Sequence, residues 1–300
     1  MNSSLIKLRL SGFTLVEMVV VITIAGIIGT MATYFMVNVM QGYDDQSRRA
    51  DLVDSADSAL RRMQRDVRRA LPNSVRVVNE GNGNGRVLEL LQTLDGGRYR
   101  AAPPGLPVNI LDFTSADTDF DMLGNLLCTT NPAVTGPCAS YTNHLLVIYN
   151  LGQVGADAYT GTNVIATGTI AVGSGAAADG VSDHITIAPA FQFAFESPNQ
   201  RFFIVDTPVT YLCDTAAGTL TRYDSYPLTA DQTDIDTAVE LLAVGATPAL
   251  VANNVTACAI DYQSGASVRA GLVTLALTVA DVATNEGIRL LHEVHVDNVP

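Results

Sequence analysis

The sequence predicts an α+β protein in which one long N-terminal helix packs on an antiparallel β-sheet. Three observations carry that prediction. Residues 13–40 form a nearly unbroken apolar run with a single charge, Glu17. Beyond it, apolar residues recur at three- and four-residue steps as far as Leu71, the spacing of one helix face. From residue 75 onward the pattern becomes short β-type runs divided by Gly, Pro and Asn.

Residues 1–12, MNSSLIKLRLSG, read as a short leader. Its Lys7 and Arg9 predict that it stays cytoplasmic and that the rest of the chain lies outside. The run at 13–40 is long enough to span a hydrocarbon core of about 30 Å. An ordinary signal peptide is cut after its apolar stretch, at small residues. Here the residue that looks like a processing point, Gly12, comes before it. Cutting there would leave the helix on the mature chain as an anchor. Glu17 is the second anomaly, because a carboxylate in an apolar span is costly and is a functional candidate by default. A new amino terminus on Phe13 of a neighbouring chain would neutralise it in trans, burying both charges as a pair. The alternative is a glutamate near the interface that reaches the headgroups.

Residues 41–71 read as the amphipathic half of the same helix. Leu52, Val53, Ala56, Ala59, Leu60, Met63, Val67, Ala70 and Leu71 form its apolar stripe, and Pro72 stops it. A continuous helix from Phe13 to Leu71 would be roughly 90 Å long. Arg61, Arg62, Arg65, Arg68 and Arg69 fall largely on other faces, interleaved with Asp51, Asp54, Asp57 and Asp66. That interleaving favours a solvated face with weak local ion pairs over a nucleic-acid or membrane surface. A third reading is contact with acidic neighbouring subunits.

Residues 72–300 read as one β-rich body outside the membrane. Expected strands cover 86–91, 144–150, 185–188, 191–196, 201–206, 209–213, 219–223, 255–262, 271–280 and 288–296. Two segments read as irregular: a turn at 79–85 and an exposed Gly/Ala/Thr-rich excursion at 159–180.

The net charge of −13 becomes −15 once Lys7 and Arg9 are removed with the leader. From Val77 onward 23 carboxylates face seven arginines, so the body is acidic and unsuited to phosphate backbones. Nucleic acid is therefore excluded as an expected partner. Four cysteines in an exported chain favour disulfides, and three pairings are open to them. The expected set is Cys128–Cys138, closing a short loop, and Cys213–Cys258, joining two strands; four buried thiols are the alternative. Asp117, Asp119 and Asp121 alternate in DFTSADTDFDM and could ligate Ca²⁺ through oxygens. The EF-hand pattern is absent, so a solvated acidic loop is favoured and no cofactor is expected. No nucleophile elbow, P-loop or HExxH motif occurs, and no enzyme activity is expected.

The stretch GFTLVEMVVVI at 12–22 resembles the cleavage and N-methylation motif of prepilins, the precursors of type IV pilins and type II secretion pseudopilins. That resemblance implies cleavage between Gly12 and Phe13 by the inner-membrane prepilin peptidase, which also methylates the Phe13 amine. It further implies that Glu17 serves assembly as the helix enters a filament core. The implied partners are this peptidase/N-methyltransferase, other minor pilins, the major pilin and the inner-membrane assembly platform. Tyr34 stands where many major pilins have a kinking proline, which points away from the major subunit. Three later stretches, RFFIVDTPVTYLCD at 201–214, GTLTRYDSYPL at 218–228 and LLHEVHVDNVP at 290–300, resemble the O-type minor pilins of the MSHA pilus, the MshO family. The function implied is a minor pilin that helps to initiate a filament or sits near its tip. A J-type pseudopilin of type II secretion and a tip adhesin are the alternatives.

Overall fold

A computed structural model describes residues 14–83, 85–101, 109–127, 141–177, 179–264, 270–281, 283–284 and 286–300, with only the backbone of 141–143. The first element, α1, is a single helix over Leu15–Arg68. The chain divides into two units, one ending at Asp51 and one beginning at Leu52.

In the first unit every large apolar side chain from Leu15 to Met40 keeps between 46% and 80% of its surface exposed. The hydroxyls of Thr23, Thr30 and Thr33 donate back to carbonyls one turn earlier, at 2.8–3.1 Å. The helix surface therefore carries few unsatisfied donors, as an apolar environment requires. By length and composition this helix is able to cross a membrane. It continues through Tyr34 without a break.

Among the described residues the second unit holds the rest of α1 and twelve strands. A nine-stranded antiparallel sheet contains β1 (Arg76–Asn79), β2 (Gly85–Arg98), β3 (Asp117–Asp121), β4 (Tyr141–Val147), β5 (Ile165–Gly173), β6 (His184–Phe191), β7 (Arg201–Asp214), β8 (Thr219–Asp224) and β9 (Thr247–Asn253). Its order is β1-β2-β7-β4-β5-β6-β3, and β8 joins β7 to β9. A separate three-stranded sheet holds β10 (Val255–Gln263), β11 (Gly271–Ala280) and β12 (Gly287–Val296) in that order. The body thus has two sheets where the pattern of runs had been read as one.

Leu52, Ala56, Ala59, Leu60, Met63 and Val67 of α1 are buried. They share one core with Leu88, Leu90, Val209 and Tyr211 of the large sheet and with Val273, Leu275, Leu277 and Val294 of the small one. The expected stripe is present, except that Val53 is 41% exposed. The helix also ends at Arg68, three residues before the expected Leu71. The reason is competition from the sheet. Leu71 N–H donates to Leu91 at 2.7 Å and Thr93 N–H donates to Arg69 at 2.8 Å, so this backbone is satisfied by β2.

Several strand readings need correction. The expected excursion at 159–180 contains β5, which lies between β4 and β6. Tyr159, Val164, Ile165 and Ile170 are buried there. The runs at 201–206 and 209–213 form one strand, β7. Its first half pairs β4 and its second half pairs β8. Pro208, which has no N–H to give, sits in the gap between those partners. The run at 191–196 is not a strand, because β6 absorbs Phe191 and then stops. The acidic segment read as a loop contains β3, paired to β6 at the sheet edge.

Candidate functional site

The N-terminal turn of α1 is the candidate site. Thr14 precedes the helix, and its Oγ1 accepts the Glu17 N–H at 3.3 Å. Its carbonyl accepts the Met18 N–H at 3.2 Å. Thr14 is thus the N-cap and Glu17 the third helical residue, the Thr-x-x-Glu spacing of a capping box. That signal was open to sequence reasoning and was missed, because Glu17 was weighed only as a charge in an apolar run. A carboxylate in a first turn also meets the positive end of the helix dipole. Glu17 is exposed, and it is the only charged side chain from Thr14 to Tyr43. Gly12 and Phe13 lie outside the described residues.

The surface beyond Glu17 offers shape but little chemistry. Gly26, Gly29, Thr30, Thr33, Tyr34 and Val37 line a shallow apolar hollow of about 530 Å³. Nothing within 4 Å would meet a Cβ placed on Gly26 or Gly29. These glycines therefore answer no need within the chain itself.

Residues 9–33 match the family model described as the prokaryotic N-terminal methylation motif. The N-terminus is of prepilin type. The match supports a type IV pilin-like or pseudopilin-like prepilin, whose class consists of structural subunits rather than enzymes. It implies processing by prepilin peptidase and assembly with other pilins. No curated protein and no solved structure matches the chain. The match covers the leader end and the first part of the helix, so it says nothing of the body.

The other predicted positions are scattered over the body. Cys213 of β7 and Cys258 of β10 form a disulfide that ties the large sheet to the small one. Cys128 and Cys138 lie outside the described residues. Asp117, Asp119 and Asp121 are each held by hydrogen bonds within the chain. Asp117 accepts the Asp112 N–H at 2.8 Å, Asp119 pairs with the Asn109 amide, and Asp121 lies 2.8 Å from His184 Nδ1. Hydrogen bonds from Thr114 and Ser115 lower the neighbouring Asp112 carboxyl to about 2. Among the described residues no three His, Cys, Asp or Glu side chains are grouped to hold a metal ion.

The body contains one buried ion pair that sequence reasoning did not find. Glu89 of β2 is fully buried, with Arg76 Nε at 2.7 Å and the Tyr226 hydroxyl at 3.0 Å. Burial pushes the Glu89 carboxyl up, against the opposing pull of Arg76. Arg76 also donates to the Thr229 and Ala230 carbonyls and stacks 3.6 Å from the Tyr159 ring centroid. Its fork thereby fastens β1, β2 and the 229–230 loop. Nothing in the local sequence around Arg76 marks it, since all of these partners are remote along the chain.

Proposed function

We propose that the chain is a minor pilin, a structural subunit of an MSHA-like type IV pilus that takes part in filament initiation or tip structure. In this reading the precursor sits in the inner membrane with residues 1–12 cytoplasmic and the body periplasmic. Prepilin peptidase cuts between Gly12 and Phe13 and methylates the new amine. The helix then leaves lipid for a filament core made with the major pilin and other minor pilins on the assembly platform. There Glu17 pairs with the Phe13 amine of a neighbour and sets axial register. The observation that carries this reading is the combination at the N-terminus. A prepilin-type motif leads into a helix surface exposed from Leu15 to Met40, with one carboxylate in its first turn.

Glu17→Ala tests the register argument. We expect cleavage of the precursor to continue while recovery of the subunit in sheared filaments falls severalfold. Normal incorporation of the variant would remove the pairing from the mechanism. The J-type pseudopilin is the second reading, supported by the uninterrupted helix at Tyr34. Deleting the gene separates the two, since loss of piliation supports the pilus and loss of protein secretion supports the secretion system.

A further inference from the structure

The last two turns of α1 hold a concentration of charge that the assembly helix does not use. Arg62, Arg65, Arg68 and Arg69 line an open groove of about 470 Å³, together with Arg222 from β8 and a single carboxylate, Asp66. The expected local ion pairing fails here. Asp66 turns to the sheet, accepting from the Tyr211 hydroxyl at 2.7 Å and from Arg222 Nε at 2.9 Å. Arg222 is shared further with Asp224. The one acid in the groove therefore positions Arg222 and does not neutralise the helix arginines.

Other arginines of the chain do find carboxylates. Arg61 has Asp57 at 2.6 Å, Arg76 has Glu89 at 2.7 Å, and Arg100 has Asp179. None of Arg62, Arg65, Arg68 and Arg69 makes a salt bridge among the described residues. They sit at the C-terminal end of the helix, where the dipole favours cations, so the cluster holds together without an anion. Planar guanidinium forks in a groove are suited to carboxylates and phosphates alike.

We propose that this groove is a docking site for a carboxylate-rich face of a neighbouring subunit, which rests on the reading that the chain assembles with other pilins. Charge complementarity selects that occupant. The chain beyond Val77 carries 23 carboxylates and seven arginines, so bodies of this kind repel one another when helices bring them together. The groove is the place of opposite sign where a neighbour's carboxylates are welcome. A long polyphosphate would extend past the groove and meet the acidic body, whereas the carboxylates of a protein face are local.

The test uses the full-length chain in neutral detergent and a fluorescein-labelled hexaglutamate peptide, read by anisotropy. We expect binding that weakens steeply as salt is added. Arg65→Gln/Arg68→Gln/Arg69→Gln should weaken it by roughly tenfold or more. Arg86→Gln/Arg98→Gln/Arg289→Gln removes the same charge elsewhere and should leave it unchanged; thermal unfolding verifies that both variants are folded. Equal weakening in both variants, or no binding by the parent chain, would overturn the site. Tighter binding of phosphatidylglycerol vesicles or of a short oligonucleotide through the same three arginines would overturn the ligand class. The peptide readout does not depend on cleavage after Gly12. A chain that binds peptide but is never processed would break the assembly reading and leave the groove standing.

Discussion

Ile27 and Phe202 are both large apolar residues in regular structure, and the chain treats them in opposite ways. Ile27 keeps 56% of its surface exposed, whereas Phe202 is wholly buried with its ring 5.4 Å from that of Phe120. The same contrast holds across their regions. From Leu15 to Met40 no large apolar side chain is buried, while among the described residues of the body most large apolar side chains gather into four cores. The body's structure is thus decided by contacts inside the chain. The N-terminal helix surface is left for an environment, lipid or other chains, to complete.

Substitutions test this contrast. Phe202→Ala should cost the body about 3–5 kcal/mol, measured by chemical unfolding of the full chain in detergent. Ile27→Ala in the same assay should change it by less than about 0.5 kcal/mol; a comparable loss would mean that the two regions share a core. Arg76→Met should cost about 3–5 kcal/mol, because it leaves Glu89 as a buried unpaired charge. The sign of its pH dependence follows from burial. A carboxyl held above its ordinary 4.5 stabilises the fold below that value and loses the contribution as pH rises through the folded value. Without Arg76 the folded value rises further, so the variant's deficit should grow from mildly acidic to neutral pH; a flat deficit would show that the pair is not the cause. Replacing Cys213 and Cys258 by serine should cost the body about 2–4 kcal/mol, since the bridge closes a separation of 45 residues. Among the body substitutions the smallest loss should come from Thr237→Ala. Thr237 and Glu240 form a complete capping box on the short helix α2 (Ala238–Ala243), and losing it should cost about 1 kcal/mol.

What the sequence made legible follows the same division. The apolar run and the stripe through Leu60, Met63 and Val67 are local periodic signals, and α1 forms where they predict it. Strand β11 has the expected limits, because its alternation is strong and its ends are marked. Strand β5 was illegible for the opposite reason. ATGTIAVG carries little apolar weight of its own and is held by pairing on both sides, with β4 and β6. Strand β2 runs past the expected 86–91 to Arg98, through Gly96 and Gly97. A Cβ on Gly96 would lie 2.8 Å from the Phe202 carbonyl oxygen, a backbone atom of the partner strand, so that position favours glycine. In the candidate site, Glu17 was visible as an isolated charge. The Thr-x-x-Glu spacing that makes Thr14 its cap was also legible, whereas the diversion of Asp66 to Arg222 depends on geometry that spacing alone does not reveal.

The mature N-terminus separates a processed prepilin from an ordinary membrane-anchored chain. Intact-mass and N-terminal peptide analysis of the full-length chain from native membranes, with and without prepilin peptidase, reads it. We expect a chain that begins at N-methylated Phe13 when the peptidase is present and retains residues 1–12 when it is not. A chain that keeps Met1 in both membranes, or one cut after the apolar helix, would contradict that expectation.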